Sequence, residues 1–197
     1  MSDWTGNTNS IFATHGASNH SDTERADLDY YATDPAAVKA LLAVEDFTHA
    51  IWEPACGGCH ISAVLADHGF AVRSTDIVDR GSVLQDGTLD FLKAVPGNQR
   101  DIITNPPYKF AAEFVKQALD ISGAYVKIAM FLKLTFLESE KRKPLFDKYP
   151  PERIYVFRNR VDCWKNGVKP EKASKAVCYA WFVWEKGFDG NPEIHWI

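Results

Sequence analysis

A short tetrad, Asn105-Pro106-Pro107-Tyr108, directly follows the segment at 101–104, in which Ile102 and Ile103 are apolar and β-branched. Such a pair is typical of a strand that is covered on both faces. Proline has no N–H for a strand ladder, and it holds the residue before it in extended backbone, so two prolines end the strand and stiffen the tetrad. The sequence therefore predicts an amide and a phenol displayed rigidly at the carboxyl end of a strand, where ligands bind in open α/β sheets.

The tetrad could orient an sp² amine toward an electrophile. The amide oxygen of Asn105 and the carbonyl of Pro106 can each accept a hydrogen bond from an exocyclic amine, while Tyr108 stacks on the ring that carries it. Accepting both protons localises the lone pair on nitrogen, so catalysis would come from positioning and electrostatics. The alternative is a plain strand end with a Pro-Pro turn, which the complete tetrad makes the weaker interpretation.

A second candidate is the turn at 53–58, with the sequence Glu-Pro-Ala-Cys-Gly-Gly. It joins a predicted strand at 50–53 to a predicted helix at 61–68, and its glycines let backbone approach a ligand closely. Asp76 ends the next strand about 20 residues later, a spacing that suits a ribose diol. Together they predict a nucleoside ligand. The turn alone would fit any α/β protein.

The same turn contains Cys-x-x-Cys-His, the pattern of c-type haem attachment, between Cys56 and His60. We exclude haem because no signal peptide is recognised and because attachment would occupy the turn. Cys163 and Cys178 are too far apart to supply the second close pair of a structural zinc site. We expect Cys56 and Cys59 to pack under the turn, and we expect no metal site.

Length and composition bound the class of protein. The 197 residues suit one domain with an irregular, polar arm at 1–28. No apolar run approaches the roughly 20 residues of a membrane span, and four cysteines without a framework spacing suggest a reducing compartment. We therefore expect a cytoplasmic protein that does not enter a membrane.

Charge is distributed unevenly along the chain. Residues 1–120 hold 8 Lys/Arg and 17 Asp/Glu, whereas residues 121–197 hold 14 and 9. The basic half could lie along a polyanion, and a solvated surface of mixed charge is the equal alternative.

Strand and helix patterns alternate, which predicts a mainly parallel sheet with helices on both faces. Strands at 153–157 and 177–184 are expected to pair antiparallel at one edge, joined by a polar loop at 158–175.

The tetrad resembles the catalytic motif of S-adenosylmethionine-dependent amino-methyltransferases. The turn at 53–57 looks like their cofactor loop, Asp76 like their ribose-binding acid, 90–92 like their adenine-binding segment, and 31–35 like the segment that closes over the methionine part. This motif order is similar to that of gamma-group N6-adenine DNA methyltransferases, and the whole chain resembles small methyltransferases of bacteriophages and prophages. The resemblance implies one Rossmann-like class I methyltransferase domain at 29–197, with a seven-stranded, mainly parallel sheet and an antiparallel edge strand.

The resemblance also implies a cofactor, S-adenosyl-L-methionine, and the residues that hold it. The implied catalytic residues are Asn105, Pro106, Pro107 and Tyr108. The implied cofactor-binding residues are Tyr31, Thr33, Pro35, Glu53, Pro54, Ala55, Cys56, Gly57, Gly58, Asp76, Ile77, Asp90, Phe91 and Asn105.

Nucleic acid is the expected partner, with DNA favoured. Basic residues surround Trp164 in the loop at 158–175, a composition that suits a phosphate backbone and an unstacked base. Trp164 could sandwich a flipped adenine against Tyr108, or it could plug the sheet edge. The expected substrate-binding residues are Tyr108, Lys109, Arg158, Arg160, Trp164 and Lys165.

Three other functions fit parts of the sequence. A separate target-recognition domain, usual in gamma-group enzymes, is not expected here. Target recognition would then be short and relaxed, or lie in the arm and the loop at 158–175, or be supplied by a homodimer or another partner. RNA adenine methylation uses the same fold, and protein glutamine methylation uses the same tetrad. A cofactor-fold binding module without catalysis is the non-enzymatic alternative, which an intact tetrad and an intact Asp76 argue against.

Overall fold

The computed structural model describes residues 30–171 and 177–197. The predicted arm at 1–28 and two basic residues of the predicted loop, Lys172 and Lys175, lie outside the described residues.

A central sheet of eight strands organises the described chain, in the order β10-β7-β9-β6-β5-β2-β3-β4. All neighbouring strands are parallel except β9, which runs antiparallel to both β6 and β7. The strands of this sheet are β2 Ala50–Glu53, β3 Ala71–Asp76, β4 Gly87–Thr88, β5 Asp101–Thr104, β6 Lys127–Lys133, β7 Arg153–Val156, β9 Tyr179–Glu185 and β10 Glu193–Trp196.

Helices cover both faces of the sheet, as predicted. They are α1 Pro35–Leu42, α2 His60–Asp67, α3 Ala111–Ile121 and α4 Lys143–Lys148. In β5, Ile102 packs with α3 on one face, while Ile103 packs with α1 and α2 on the other. Both side chains are fully buried, because successive residues of a central strand point to opposite covered faces. The core is therefore two apolar layers that fix the position of the tetrad at the end of β5.

Two details of the predicted sheet are wrong. The sheet has eight strands rather than seven, because β10 adds to β7 beyond the last predicted strand. The antiparallel strand β9 is not at the edge but lies between β6 and β7. Periodicity identified β7 and β9 as strands, but it carries no information on which strand forms the edge.

No helix in the described residues is long and apolar enough to span a membrane.

A separate two-stranded ribbon lies outside the central sheet. It pairs β1 Tyr31–Thr33 antiparallel with β8 Cys163–Lys165. The strand β8 lies within the segment predicted to be a polar loop at 158–175, so that prediction is wrong for its middle. The ribbon joins the segment before α1 to the segment that follows β7.

A charged network occupies the amino ends of β6 and β7. The Glu45 carboxylate accepts from Lys127 Nζ at 2.6 Å, from Arg153 Nε at 2.7 Å and from Tyr155 Oη at 2.7 Å. Burial alone would raise the pKa of Glu45, but these hydrogen bonds outweigh burial and lower it. Every oxygen of this buried carboxylate is thus used within the protein.

Candidate active site

The tetrad leaves the sheet where β5 ends. Thr104 is the last residue of β5, and a 3₁₀ turn at Tyr108–Phe110 leads directly into α3. Pro106 is buried, whereas Asn105, Pro107 and Tyr108 are half-buried. The prediction that the two prolines end the strand is confirmed, and the polar side chains stand at the carboxyl end of the sheet.

The ribbon fixes the orientation of the Asn105 amide. Its Nδ2 donates to the Tyr31 carbonyl at 2.8 Å and to Thr33 Oγ1 at 3.0 Å. A carbonyl can only accept, so the nitrogen must face the ribbon and the oxygen must face away from it. Within the described residues, the buried Oδ1 of Asn105 has no hydrogen-bond partner. The amide therefore presents one unused acceptor, which folding has already desolvated.

Tyr108 lies among groups that the sequence did not connect with it. Its ring centroid is 5.7 Å from that of Tyr31 and 6.0 Å from that of Tyr179, and Lys133 Nζ lies 4.8 Å from it. Its hydroxyl is 3.3 Å from Cys163 Sγ. Burial raises the pKa of Tyr108 well above its usual value, so the phenol is neutral. A base that stacks on the face under Lys133 would have to displace that side chain.

The glycine turn has the geometry that its sequence requires. Gly57 has φ +53°, and its N–H donates to Asp76 Oδ2 at 2.8 Å. A Cβ added at Gly57 would overlap the Tyr30 ring. Cys59 has φ +63° at the start of α2, and both Cys56 and Cys59 are buried, as predicted. The turn therefore brings the carboxylate at the end of β3 against the backbone that follows β2.

Glu53 is a buried carboxyl group at the end of β2. Burial raises its pKa to about 8, although Ser62 donates to Oε2 through both its backbone N–H and its hydroxyl. The Ser62 hydroxyl also lies 2.6 Å from that of Ser74. Glu53 is thus mainly protonated at neutral pH in this state. A cationic group placed beside it would favour the ionised form.

A cavity of about 500 Å³ connects the turn, the tetrad and the ribbon. This volume lies within the range of small-molecule sites. Ile77, which follows Asp76, is 62% exposed, so an apolar side chain of the wall is available to a ligand. The expected cofactor residues that line the cavity are Tyr31, Thr33, Glu53, Pro54, Ala55, Cys56, Asp76, Ile77, Asp90, Phe91 and Asn105.

Three expected cofactor residues are absent from the described wall of the cavity: Pro35, Gly57 and Gly58. Pro35 instead opens α1 behind Asp34, whose Oδ1 accepts from Ala36 N at 2.9 Å. Gly57 shapes the turn through its N–H bond to Asp76. These residues support the wall rather than form it.

Three polar side chains of the wall were not predicted: Tyr30, His60 and Arg80. The hydroxyl of Tyr30 accepts from Gly58 N at 3.0 Å. Phe110, which directly precedes α3, is 40% exposed and also lines the cavity. The position of His60 directly after the turn was the available sequence signal, and its lack of metal-ligand spacing left it without a role.

Comparison with known proteins identifies the fold. No protein-family model matches this sequence, and no curated protein matches it significantly. A predicted O-methyltransferase from Agrobacterium tumefaciens has a TM-score of 0.59 at 13% identity, over 83% of this chain and 85% of that one. A proposed class I S-adenosylmethionine-dependent methyltransferase from Listeria monocytogenes has a TM-score of 0.58 at 16% identity, over 86% of this chain and 66% of that one.

A third match is a proposed RNA methyltransferase from Pyrococcus horikoshii, with a TM-score of 0.55 at 10% identity, over 91% of this chain and 99% of that one. The fold is that of class I S-adenosylmethionine-dependent methyltransferases. S-adenosylmethionine is the cofactor expected for this fold. The cavity wall fits it, because buried Asp76 and half-buried Asp90 offer acceptors for hydroxyl and amine groups and exposed Ile77 offers an apolar surface.

On the expected substrate side of this methyltransferase fold, one prediction is wrong. Trp164 does not face Tyr108: its ring packs edge-on against His60, with centroids 5.6 Å apart, and Lys169 Nζ lies 5.5 Å from it. Residues alternate in a strand, so Cys163, which contacts Tyr108, points to the opposite face of β8. Trp164 therefore cannot sandwich a base against Tyr108 in this arrangement.

The expected basic contacts lie at the surface. Arg158, Arg160, Lys109 and Lys165 are exposed, and Lys109 also lines the mouth of the cavity next to the tetrad. Arg158 follows the carboxyl end of β7, and its N–H donates to the Ile197 carbonyl at 2.8 Å. Since β7 runs in the same direction as β5, Arg158 and Arg160 follow a carboxyl strand end on the same side of the sheet as Asn105.

Proposed function

We propose that this chain transfers the methyl group of S-adenosylmethionine to the N6 amine of adenine in DNA. One observation carries the proposal: the buried, unpartnered Oδ1 of Asn105 at the wall of a cavity that fits the cofactor. A desolvated acceptor without a partner costs roughly 1–3 kcal/mol, and a donor delivered by a substrate would recover that cost.

The tetrad would act by holding the amine. The Asn105 Oδ1 accepts one amine proton and the Pro106 carbonyl accepts the other, which localises the lone pair on nitrogen. The ribbon keeps the amide from rotating, because rotation would place Oδ1 against the Tyr31 carbonyl. Pre-organised acceptors of this kind lower the barrier without moving during the reaction.

No strong base is needed at the tetrad. Burial raises the pKa of Tyr108 well above its usual value and that of Cys163 to about 11, so neither group is ionised at neutral pH. The bound cofactor supplies an electrophilic methyl group on a sulfonium. The amine held by Asn105 and Pro106 would take that methyl group from the sulfonium, and its surplus proton would pass to solvent. The contribution of the protein is therefore alignment.

The remaining wall residues would hold the cofactor. Asp76, already oriented by Gly57 N and Val78 N, would accept from the ribose hydroxyls. Asp90 caps the 3₁₀ turn Phe91–Lys93 through its Oδ1 and would accept from the adenine amine. Phe91 is 2% exposed and packs against Trp52 and Phe114, so it would support the adenine site from the core.

DNA is favoured as the carrier of the amine by the basic half of the chain. The exposed Arg158 and Arg160 lie on the edge of the sheet that holds the tetrad, where they would meet phosphates. Each phosphate contact should contribute a slope of about −0.9 to the dependence of log affinity on log salt. Arg158→Ala should reduce that slope by about one, whereas Lys116→Ala, on the exposed face of α3, should not change it.

The test of the function is methyl transfer from isotope-labelled S-adenosylmethionine. Duplex DNA, single-stranded DNA, RNA and protein are offered separately, and the products are identified by mass spectrometry. We expect N6-methyladenine in DNA. Label found in RNA or in protein glutamine instead would show that RNA or protein, not DNA, is the methyl acceptor. Cofactor binding without transfer to any acceptor would favour a binding module.

Asn105→Ala tests the mechanism. It should lower the methyl-transfer rate by roughly 10²–10³-fold, the range for loss of one pre-organised polar group, with little change in cofactor affinity. Asn191→Ala, at an exposed position remote from the tetrad, is the matched control. A full rate in Asn105→Ala would overturn the assigned role of the amide.

A further inference from the structure

Two nitrogen-bearing side chains line the cavity near the glycine turn. His60 is the first residue of α2, and Arg80 lies in the segment after β3. Tyr30 lies beside both. Its hydroxyl binds Gly58 N, and its ring lies 4.2 Å from the Arg80 guanidinium carbon. A Cβ added at Gly58 would lie 2.6 Å from the Tyr30 hydroxyl and 3.0 Å from His60 Cε1.

Both side chains have a buried nitrogen without a partner. Within the described residues, neither His60 Nδ1 nor Arg80 Nε makes a hydrogen bond. Buried polar atoms are nearly always paired in native proteins, so two unpaired nitrogens on one cavity wall indicate a ligand acceptor. Burial lowers the pKa of His60, and the neutral ring can donate from Nδ1 in one of its tautomers. Arg80 keeps its charge.

The acidic side chains of the cavity have the opposite character. Glu53, Asp76 and Asp90 are carboxyl groups, which suit ligand donors such as hydroxyl, amine and ammonium groups. Lys109 adds a cation at the mouth next to the tetrad, whereas the nitrogen donors beside the glycine turn are those of His60 and Arg80. A ligand that matches this division needs one strong acceptor at the turn and several donors elsewhere. S-adenosylmethionine has a single anionic group, the carboxylate of its methionine part.

We propose that His60 and Arg80 bind this carboxylate and make the site selective for cofactors that carry it. The proposal rests on the cofactor assignment in the proposed function, but it does not depend on the methyl acceptor. Hydrogen bonds to a charged group contribute roughly 1.5–3 kcal/mol, so losing one should weaken binding by about tenfold or more. The same loss should not affect a cofactor without the carboxylate.

Calorimetric titration with S-adenosylmethionine and with its decarboxylated form tests the proposal. The wild-type protein should bind the carboxylate form at least about tenfold more tightly. Arg80→Met, which keeps an unbranched stem over Tyr30, and His60→Ala should each reduce that preference by lowering affinity for the carboxylate form alone. His60→Gln, which restores a donor, should recover part of it.

Arg73→Met is the matched control for the arginine. Arg73 also stacks on an aromatic ring, with its guanidinium carbon 4.6 Å from the centroid of the Trp52 ring, but it is not part of the cavity wall. The Arg73→Met substitution should leave the affinities for S-adenosylmethionine and for its decarboxylated form unchanged. Thermal melting curves check that each variant is folded.

The outcomes separate this proposal from the cofactor assignment. Equal affinity of the wild type for the two cofactors, or equal loss of both in the variants, would overturn the carboxylate role while the cofactor assignment stands. Absence of binding of either cofactor by the folded wild-type protein would overturn both.

Discussion

The two ends of the central sheet treat buried polar groups in opposite ways. At the amino ends of the strands, Glu45 is fully bonded to Lys127, Arg153 and Tyr155, and Asp101 accepts from two backbone N–H groups. At the carboxyl ends, buried atoms of Thr104, Asn105, His60 and Arg80 have no partner among the described residues. The difference separates a structural end from an end that is built for ligands.

The physical reason is the cost of desolvation. A buried acceptor or donor without a partner costs about 1–3 kcal/mol, so a fold that keeps several in one place gives up stability there. Among the side chains that the structure describes, Glu152 Oε2 is the one unpartnered buried polar atom at the amino ends, and its sister oxygen accepts from Arg153 Nη1 at 2.7 Å. Substitutions at the two ends should therefore have opposite consequences for stability and function.

The largest effect on stability is expected at the amino ends. Glu45→Gln leaves partly buried Lys127 without a counter-charge and leaves Arg153 with Glu152 alone, which should cost about 3 kcal/mol of folding free energy. Urea unfolding measures this, and the methyl-transfer rate of the folded protein should not change. A stability loss under about 0.5 kcal/mol, the usual range of surface substitutions, would remove the distinction between the ends.

The two ends should also respond to pH with opposite sign. Glu53 has its pKa raised from 4.5 to about 8 in the folded state, so the stability that its proton confers is complete below pH 4.5 and is lost as pH rises toward 8. Glu45, whose pKa is lowered, stabilises above pH 4.5 and loses that contribution as pH falls through its folded pKa.

Unfolding of the cofactor-free protein at several pH values tests this pair. Between pH 5 and 8, the free energy of unfolding of the wild type should decline by at most about 1.4 kcal/mol per pH unit because of Glu53, and Glu53→Gln should remove this decline. Glu45→Gln should flatten the pH profile of the unfolding free energy only on its acid side. Identical pH profiles of wild type and Glu53→Gln would show that the buried carboxyl group is not protonated at neutral pH.

A smaller effect is expected at the glycine turn. Gly57→Ala combines a positive φ with overlap on the Tyr30 ring, whereas Gly69→Ala has a positive φ but no atom within 4 Å of the new Cβ. Backbone strain should lower the free energy of unfolding by about 1 kcal/mol in each variant. In Gly57→Ala, the overlap with Tyr30 should lower it by roughly another 1 kcal/mol and should also weaken cofactor binding. In the double-mutant cycle, Tyr30→Ala should recover the additional loss.

The smallest effect on stability is expected for the substitution with the largest effect on activity. Asn105→Ala removes three hydrogen bonds to the ribbon, one of them a weak bond to sulfur, but also an unpartnered buried oxygen, so the net change should stay within about 1 kcal/mol. Unfolding and methyl transfer measured on the same sample check this. A loss as large as that of Glu45→Gln would mean that the amide serves the fold first.

Much of the site could be predicted from local sequence. The end of β5 at Thr104 follows from two prolines without N–H groups, and the turn at 53–58 follows from glycines between a strand and a helix. Asp76 was expected to end a strand, and β3 ends at that residue. Each of these features depends on backbone constraints within a few residues, which the sequence alone determines.

Tertiary structure decided the contacts between distant segments. The pairing of β8 with β1 brings Cys163 to the tetrad and turns Trp164 toward His60, the opposite of the predicted arrangement. The bond from Asn105 to Tyr31, which fixes the free amide oxygen, joins residues 74 positions apart. Periodicity indicates which face of a strand is buried, but not which segment covers it. The position of the tetrad at a strand end was therefore predictable from the sequence, whereas the buried polar atoms without partners among the described residues emerged only from packing.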